Sequence, residues 1–160
     1  MAQDFIGKKA SNLKRLVRKG FNVPKFLVIE SKILEKELSL ININENELNK
    51  IFFLSEEKLA LNRLKDIRGR ILSSDIHIKT PNFSSDYLIV RSSTLLEDSD
   101  FSSFAGIFES KKVNNEKKDI ILGMKKVLAA TFSNKVYYYI KKKKIKSIPK
   151  LGIIIQEFIQ

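Results

Sequence analysis

Apolar residues recur along this chain in two ways, at three- and four-residue intervals and as short unbroken runs, and the alternation between the two lays out the expected elements. Leu13, Leu16 and Val17 stand at helical spacing behind Ser11, and Gly20 stands where a left-handed helix stop belongs. A short helix is expected over 12–19. Val23-Pro24 then leads into Phe26-Leu27-Val28-Ile29, a compact apolar run that reads as a buried strand tolerating proline at its start. Ser31 is placed to cap a helix over 31–41, and helical stretches over 45–54 and 55–74 follow, with Leu, Ile and Phe at helical intervals. Together these form a helical insert near 31–75. The segment 73–86, with Pro81 and several Ser and Asp, has no sustained period and reads as a loop with at most a short strand.

Tyr87-Leu88-Ile89-Val90 is the second clear strand, and it delivers Arg91-Ser92-Ser93 at its C-terminal end, where open α/β sheets place ligand contacts. A third strand is expected over 108–113. Residues 116–131 put Ile120, Ile121, Met124, Val127 and Leu128 on one helical face, and Ser133 is placed to cap a further helix running to the lysine cluster. Pro149 ends that region. Leu151 to Ile159 reads as a last strand, apolar enough at Ile153, Ile154 and Ile155 to lie centrally in a sheet. The fold class is therefore α/β (α+β), a mixed sheet flanked by helices, with 1–160 as a single partial domain.

Composition narrows this little. The 160 residues, 43% hydrophobic and 30% charged, suit one globular domain with a real core. Without cysteine there is neither a disulfide framework nor a thiolate metal site. No apolar run approaches the roughly 20 residues of a membrane span, and the N-terminus has no signal-peptide pattern, so a cytoplasmic protein is expected. The net charge of +12 raises nucleic acid as a partner. Its distribution argues against that, because Lys141 to Lys146 is the one dense basic cluster and the other cations are scattered among acids.

Two stretches carry reactive groups at the edges of apolar elements. Gly7-Lys8-Lys9-Ala10-Ser11-Asn12 places a glycine and a lysine just before the first helix, where free backbone N–H groups and a cation suit phosphate oxygens. It lacks the GxxxxGK[ST] spacing of a Walker loop, and taken by itself a solvated basic helix start accounts for it better. In the second, Arg91, Ser92 and Ser93 precede Glu97-Asp98 and Ser102-Ser103-Phe104-Ala105-Gly106. This arrangement can cradle an anion or be a serine-rich loop whose arginine pairs with an acid. His77, the sole histidine, sits in the polar loop and reads as a surface residue rather than a phosphoryl carrier. Glu56-Glu57 and Glu97-Asp98 read as a helix start and a loop brace rather than a metal site. Tyr137, Tyr138 and Tyr139 beside the lysines could stack on single-stranded nucleic acid, but packing of a helix accounts for them better.

Taken in order, these stretches resemble a known family. Gly7-x-Lys9-x-x-Asn12-Leu13, Gly20-Phe21-x-Val23-Pro24, Val90-Arg91-Ser92-Ser93, Glu97-Asp98, Ser103-Phe104-Ala105-Gly106 and Ile153-Ile154-Ile155-Gln156 follow the signatures of pyruvate phosphate dikinase and phosphoenolpyruvate synthase. The resemblance covers both ends and the second half, leaving roughly 35–85 unmatched. It implies the N-terminal lobe of an ATP-grasp nucleotide site. On that basis Lys9 and Arg91 contact ATP phosphates, the loop of Ser103, Ala105 and Gly106 closes over them, and Gln156 with the backbone through Phe158 lies by the adenine. Lys8, Lys25-Phe26, Phe101 and Ile107 depart from the family pattern.

The resemblance further implies a phosphotransferase that passes phosphate from ATP through an enzyme histidine to pyruvate or a related acceptor. The lobe that brings Mg²⁺ carboxylates and the phosphohistidine and acceptor domains are expected beyond these residues, so this chain alone is expected to be inactive and Mg²⁺ to serve only the full-length enzyme. The alternative is a stand-alone basic module, binding nucleotide or nucleic acid, that has lost catalysis.

Overall fold

The computed structural model describes residues 6–94, 108–145, 148 and 150–159. Its elements are α1 (Gly7–Arg18), β1 (Phe26–Ile29), α2 (Ser31–Leu40), α3 (Glu45–Phe52), α4 (Glu57–Ser73), β2 (Tyr87–Thr94), β3 (Ser110–Asn114), α5 (Lys117–Ala130), α6 (Asn134–Lys142) and β4 (Leu151–Glu157). The four strands form one sheet in the order β1-β4-β2-β3. The α/β class holds, and within it every pairing is antiparallel rather than mixed.

Strand β4, the most apolar, lies between β1 and β2 and is buried on both faces except at Glu157. Opposed residues of an antiparallel pair share a face. The pairs Leu88–Glu157, Val90–Ile155, Ser92–Ile153 and Thr94–Leu151 therefore belong to one side, and Ile89–Gln156, Arg91–Ile154 and Ser93–Gly152 to the other. Ile153, Ile155, Leu88 and Val90 join the main core with residues of α2 to α6, whereas Ile154, equally buried, stands outside it. Helix α5 lies directly on β2 and β3, since a Cβ on Gly123 would come within 2.8 Å of Val113 Cγ1 and 3.2 Å of Val90 Cγ2.

The ends of several elements differ from expectation. Helix α1 starts at Gly7, five residues before the expected 12, and stops as expected at Gly20, whose φ of +81° lets Phe21 N–H close on Leu16 O at 3.1 Å. Ser31 does not cap α2. The extended residue is Glu30, and Ser31 lies buried inside the first turn. Asn44 caps α3 by accepting from Glu47 N–H at 2.9 Å, and Ser133 caps α6 by accepting from Val136 N–H at 3.3 Å, the latter as expected. The third strand begins at Ser110 rather than 108, and the last ends at Glu157 rather than 159. Between Ser74 and Asp86 there is neither helix nor strand.

Candidate functional site

The sheet face opposite the core carries the residues singled out in the sequence. Three cross-strand pairs line it in succession, Ser93–Gly152, Arg91–Ile154 and Ile89–Gln156. With a strand rise of about 3.4 Å per residue, the row from Ser93 to Ile89 is about 14 Å long. The N-terminus of α1 covers its Ser93 end. Ser93 Oγ accepts from Ala10 N–H at 3.1 Å, and a Cβ on Gly7 would overlap the Ser93 carbonyl. A Cβ on Gly152 would lie 2.9 Å from Ile6 O. Both glycines are there because backbone meets backbone, and Gly7 also holds φ at +76°.

Lys9 is therefore not a loop residue. It lies in the first turn of α1, half-buried, next to Ala10 and above the strand that carries Arg91 two positions from Ser93. That turn has no acidic residue and no side-chain bond from its N-cap residue, so Lys8 and Lys9 add their charge to the partial positive charge of the helix start. Arg91 is half-buried in the middle of the row, between Ser110 of β3 and Ile154 of β4.

Gln156 closes the other end of the row. It is 6% exposed, and its Nε2 donates to Pro24 O at 3.3 Å, bracing the approach to β1. Glu157 N–H donates to Lys25 O at 2.9 Å and Phe158 N–H to Tyr87 O at 3.0 Å. The N–H groups of Glu157 and Phe158, in the backbone expected by the adenine, thus donate within the fold. The Lys112 ammonium stands 4.1 Å from the Tyr87 ring centroid and 4.5 Å from that of Phe158, fixing this aromatic corner.

Ser103, Ala105 and Gly106, with Glu97 and Asp98, lie outside the described residues. His77 is exposed between α4 and β2, and its N–H donates to Glu37 Oε2 at 2.9 Å. Among the described residues no three His, Cys, Asp or Glu side chains gather around a common point, so they offer Mg²⁺ no such ligand set. Tyr137 packs in the fold, 2% exposed against Phe52, which leaves it no face for a base, whereas Tyr138 is exposed and donates to Glu57 Oε1 at 3.0 Å. That bond, in which the carboxylate holds the phenolic proton, raises the Tyr138 pKa above its ordinary value. A cavity of about 190 Å³ lies on the core side of the sheet, among Leu34, Leu38, Leu48 and Leu128, away from the Arg91 face.

The family described as pyruvate phosphate dikinase, AMP/ATP-binding domain, matches the chain over residues 3–160. The chain belongs to this family. The match includes the helical stretch 35–85 that carries no recognisable signature, and its bounds take in all the strands and helices described. The chain is also similar to the uncharacterized phosphotransferase YvkC of Bacillus subtilis (strain 168), with 28% identity over 155 residues. That alignment takes in 96% of this chain and 18% of the relative's length. The chain is thus an ATP-binding module of a phosphotransferase-related family. Among the described residues no helix is long and apolar enough to cross a membrane.

The sequence motifs pointed to Lys9, Arg91 and Gln156 but not to Gly152 or to the part played by Ser93. Their signals were present: a lone glycine inside the otherwise apolar strand Leu151 to Ile155 marks a close backbone approach, and a hydroxyl at a strand end is suited to accept from an incoming helix.

Proposed function

We propose that the Arg91 face of the sheet takes the triphosphate of ATP, with the adenine directed toward Gln156 and Phe158. This would serve a cytoplasmic phosphotransferase that passes phosphate through a histidine outside this chain to pyruvate or a related acceptor. The observation that supports it is the shared face: Arg91 and Gln156 lie in one row, and α1 brings Lys9 to the same side through the Ser93–Ala10 bond. In this reading Arg91 engages phosphate oxygens with its fixed fork and Lys9 adds a point charge. Because Glu157 and Phe158 N–H are committed to the sheet, donors to the adenine edge come from beyond Phe158 or from side chains. The loop of Ser103, Ala105 and Gly106 supplies further phosphate contacts. Mg²⁺ ligands, the phosphohistidine and the acceptor site belong to partner domains.

An open face leaves the phosphates hydrated, so attraction to the two cations is screened by salt. Calorimetry on the 160-residue chain is expected to show weak ATP binding that falls with added salt and falls about tenfold or more in Arg91→Ala, the loss typical of a charge-assisted bond. A parallel assay with labelled ATP is expected to leave His77 unlabelled. Equal affinity in wild type and Arg91→Ala would remove the phosphate role from this face.

A further inference from the structure

The first turn of α1 differs from that of the other described helices in one bond. In α3, α4, α5 and α6 the fourth N–H donates to the carbonyl of the N-cap residue: Leu48 to Asn44 at 3.0 Å, Ala60 to Glu56 at 3.1 Å, Ile120 to Glu116 at 2.9 Å and Tyr137 to Ser133 at 3.0 Å. The same position in α1 is Ala10, and its N–H donates instead to Ser93 Oγ, 83 residues away. The Ser93 hydroxyl is thus built into the helix where its own N-cap carbonyl normally serves. Around this bond the packing is close: Ser93 is 0% exposed, Gly7 packs on its carbonyl, and the Ile6 carbonyl lies against Gly152.

The Ala10 N–H belongs to the peptide group that starts at Lys9, so a bond to it fixes that peptide plane and with it the Lys9 Cα. Ser93 and Arg91 are two residues apart on one face of β2. A single rigid strand therefore carries one cation directly and holds the backbone of the other. We propose that Ser93 is the positioning residue of this nucleotide site, setting the place of Lys9 relative to Arg91 without itself being needed on the phosphates. The proposal rests on the ATP reading above.

ATP affinity of the 160-residue chain, measured by calorimetry at low salt, tests it with single and double variants. Ser93→Ala removes the acceptor, and affinity is expected to fall roughly three- to tenfold, the worth of a neutral hydrogen bond. Ser93→Cys keeps the shape with a weaker acceptor and is expected to lie between, and it carries the test if the alanine variant does not fold. The deciding measurement is the double-variant cycle. With Lys9→Ala already in place, adding Ser93→Ala is expected to cost nothing further, whereas with Arg91→Ala in place its cost is expected in full. A general loosening of the fold would add to both. Equal losses on the two backgrounds, or an unchanged affinity in Ser93→Cys and Ser93→Ala, would overturn the positioning role while leaving the site. If Lys9→Ala and Arg91→Ala themselves leave ATP binding unchanged, the underlying reading fails and the positioning role with it.

Discussion

Gly7 and Gly20 bracket the same helix at nearly the same backbone angle, φ +76° and +81°, yet they answer different demands. At Gly20 an added Cβ meets nothing within 4 Å, so only the left-handed conformation stands against a side chain. That costs roughly 1–2 kcal/mol. At Gly7 the same strain is joined by overlap with the Ser93 carbonyl, a backbone atom that cannot swing aside. Urea denaturation is expected to show Gly20→Ala destabilised by about 1 kcal/mol and Gly7→Ala by more than about 2 kcal/mol, with ATP affinity lost only in the latter because α1 must lift from the sheet. Matching losses would mean that the approach to Ser93 has no energetic weight. The two glycines look alike in the sequence, and so do Lys8 and Lys9; what separates them is a strand more than 80 residues away.

Among elements, helix α5 offers a comparison in which local preference and packing oppose each other. Glycine inside a helix is worse than alanine by about 1 kcal/mol, and in α4 Gly69 is exposed with nothing within 4 Å of an added Cβ. Gly69→Ala is therefore expected to raise stability by roughly 0.5–1 kcal/mol. In α5 the Cβ of Gly123→Ala would press on Val113 and Val90, and overpacking of this kind costs about 1–3 kcal/mol. Packing wins there, and thermal unfolding is expected to show a net loss; a gain equal to that of Gly69→Ala would mean that α5 can ride away from β2 and β3 freely. The same division explains what the sequence disclosed. Helices α2 to α6 were legible because each presents an apolar face to one core, and β2 and β4 because their runs are bounded by polar residues and turns. The start of α1 was not, since Gly7-Lys8-Lys9-Ala10 has no apolar period and is held by a side chain from β2. Ser31 misled because a serine before an apolar run marks a cap only when its own backbone is extended, and here that conformation falls to Glu30. Pairing direction was also out of reach: an apolar run such as Ile153-Ile154-Ile155 records burial on both faces but not which way its neighbours run. For the candidate site, Arg91 stood out as a polar residue at the end of an apolar run and Gln156 through the family resemblance, while their common face depends on the register of β2 with β4.

At the scale of the whole molecule, the sheet is held together by its last strand in chain order. Among the described residues β1 pairs with β4 alone, and Phe26 pairs with Gln156. The face proposed for the nucleotide is completed by the same strand, through Gly152 beneath α1 and Ile154 beside Arg91. This has a consequence during synthesis. At about 5–20 residues per second, the roughly 130 residues separating the two partners take on the order of ten seconds to be made. Throughout that time the apolar run Phe26 to Ile29 leaves the ribosome with both edges unpaired, a template for wrong pairing in a crowded cell. Nascent chains stalled before Leu151 is exposed are expected to be cut readily by protease near β1, and chains stalled well after Glu157 to resist; early resistance would mean that β1 finds shelter against α2 alone. Helices α2 to α4, whose packing is local, can form during the interval. The affinity for ATP therefore arrives late in the life of each chain, when the ribosome has delivered the strand that joins its beginning to its middle.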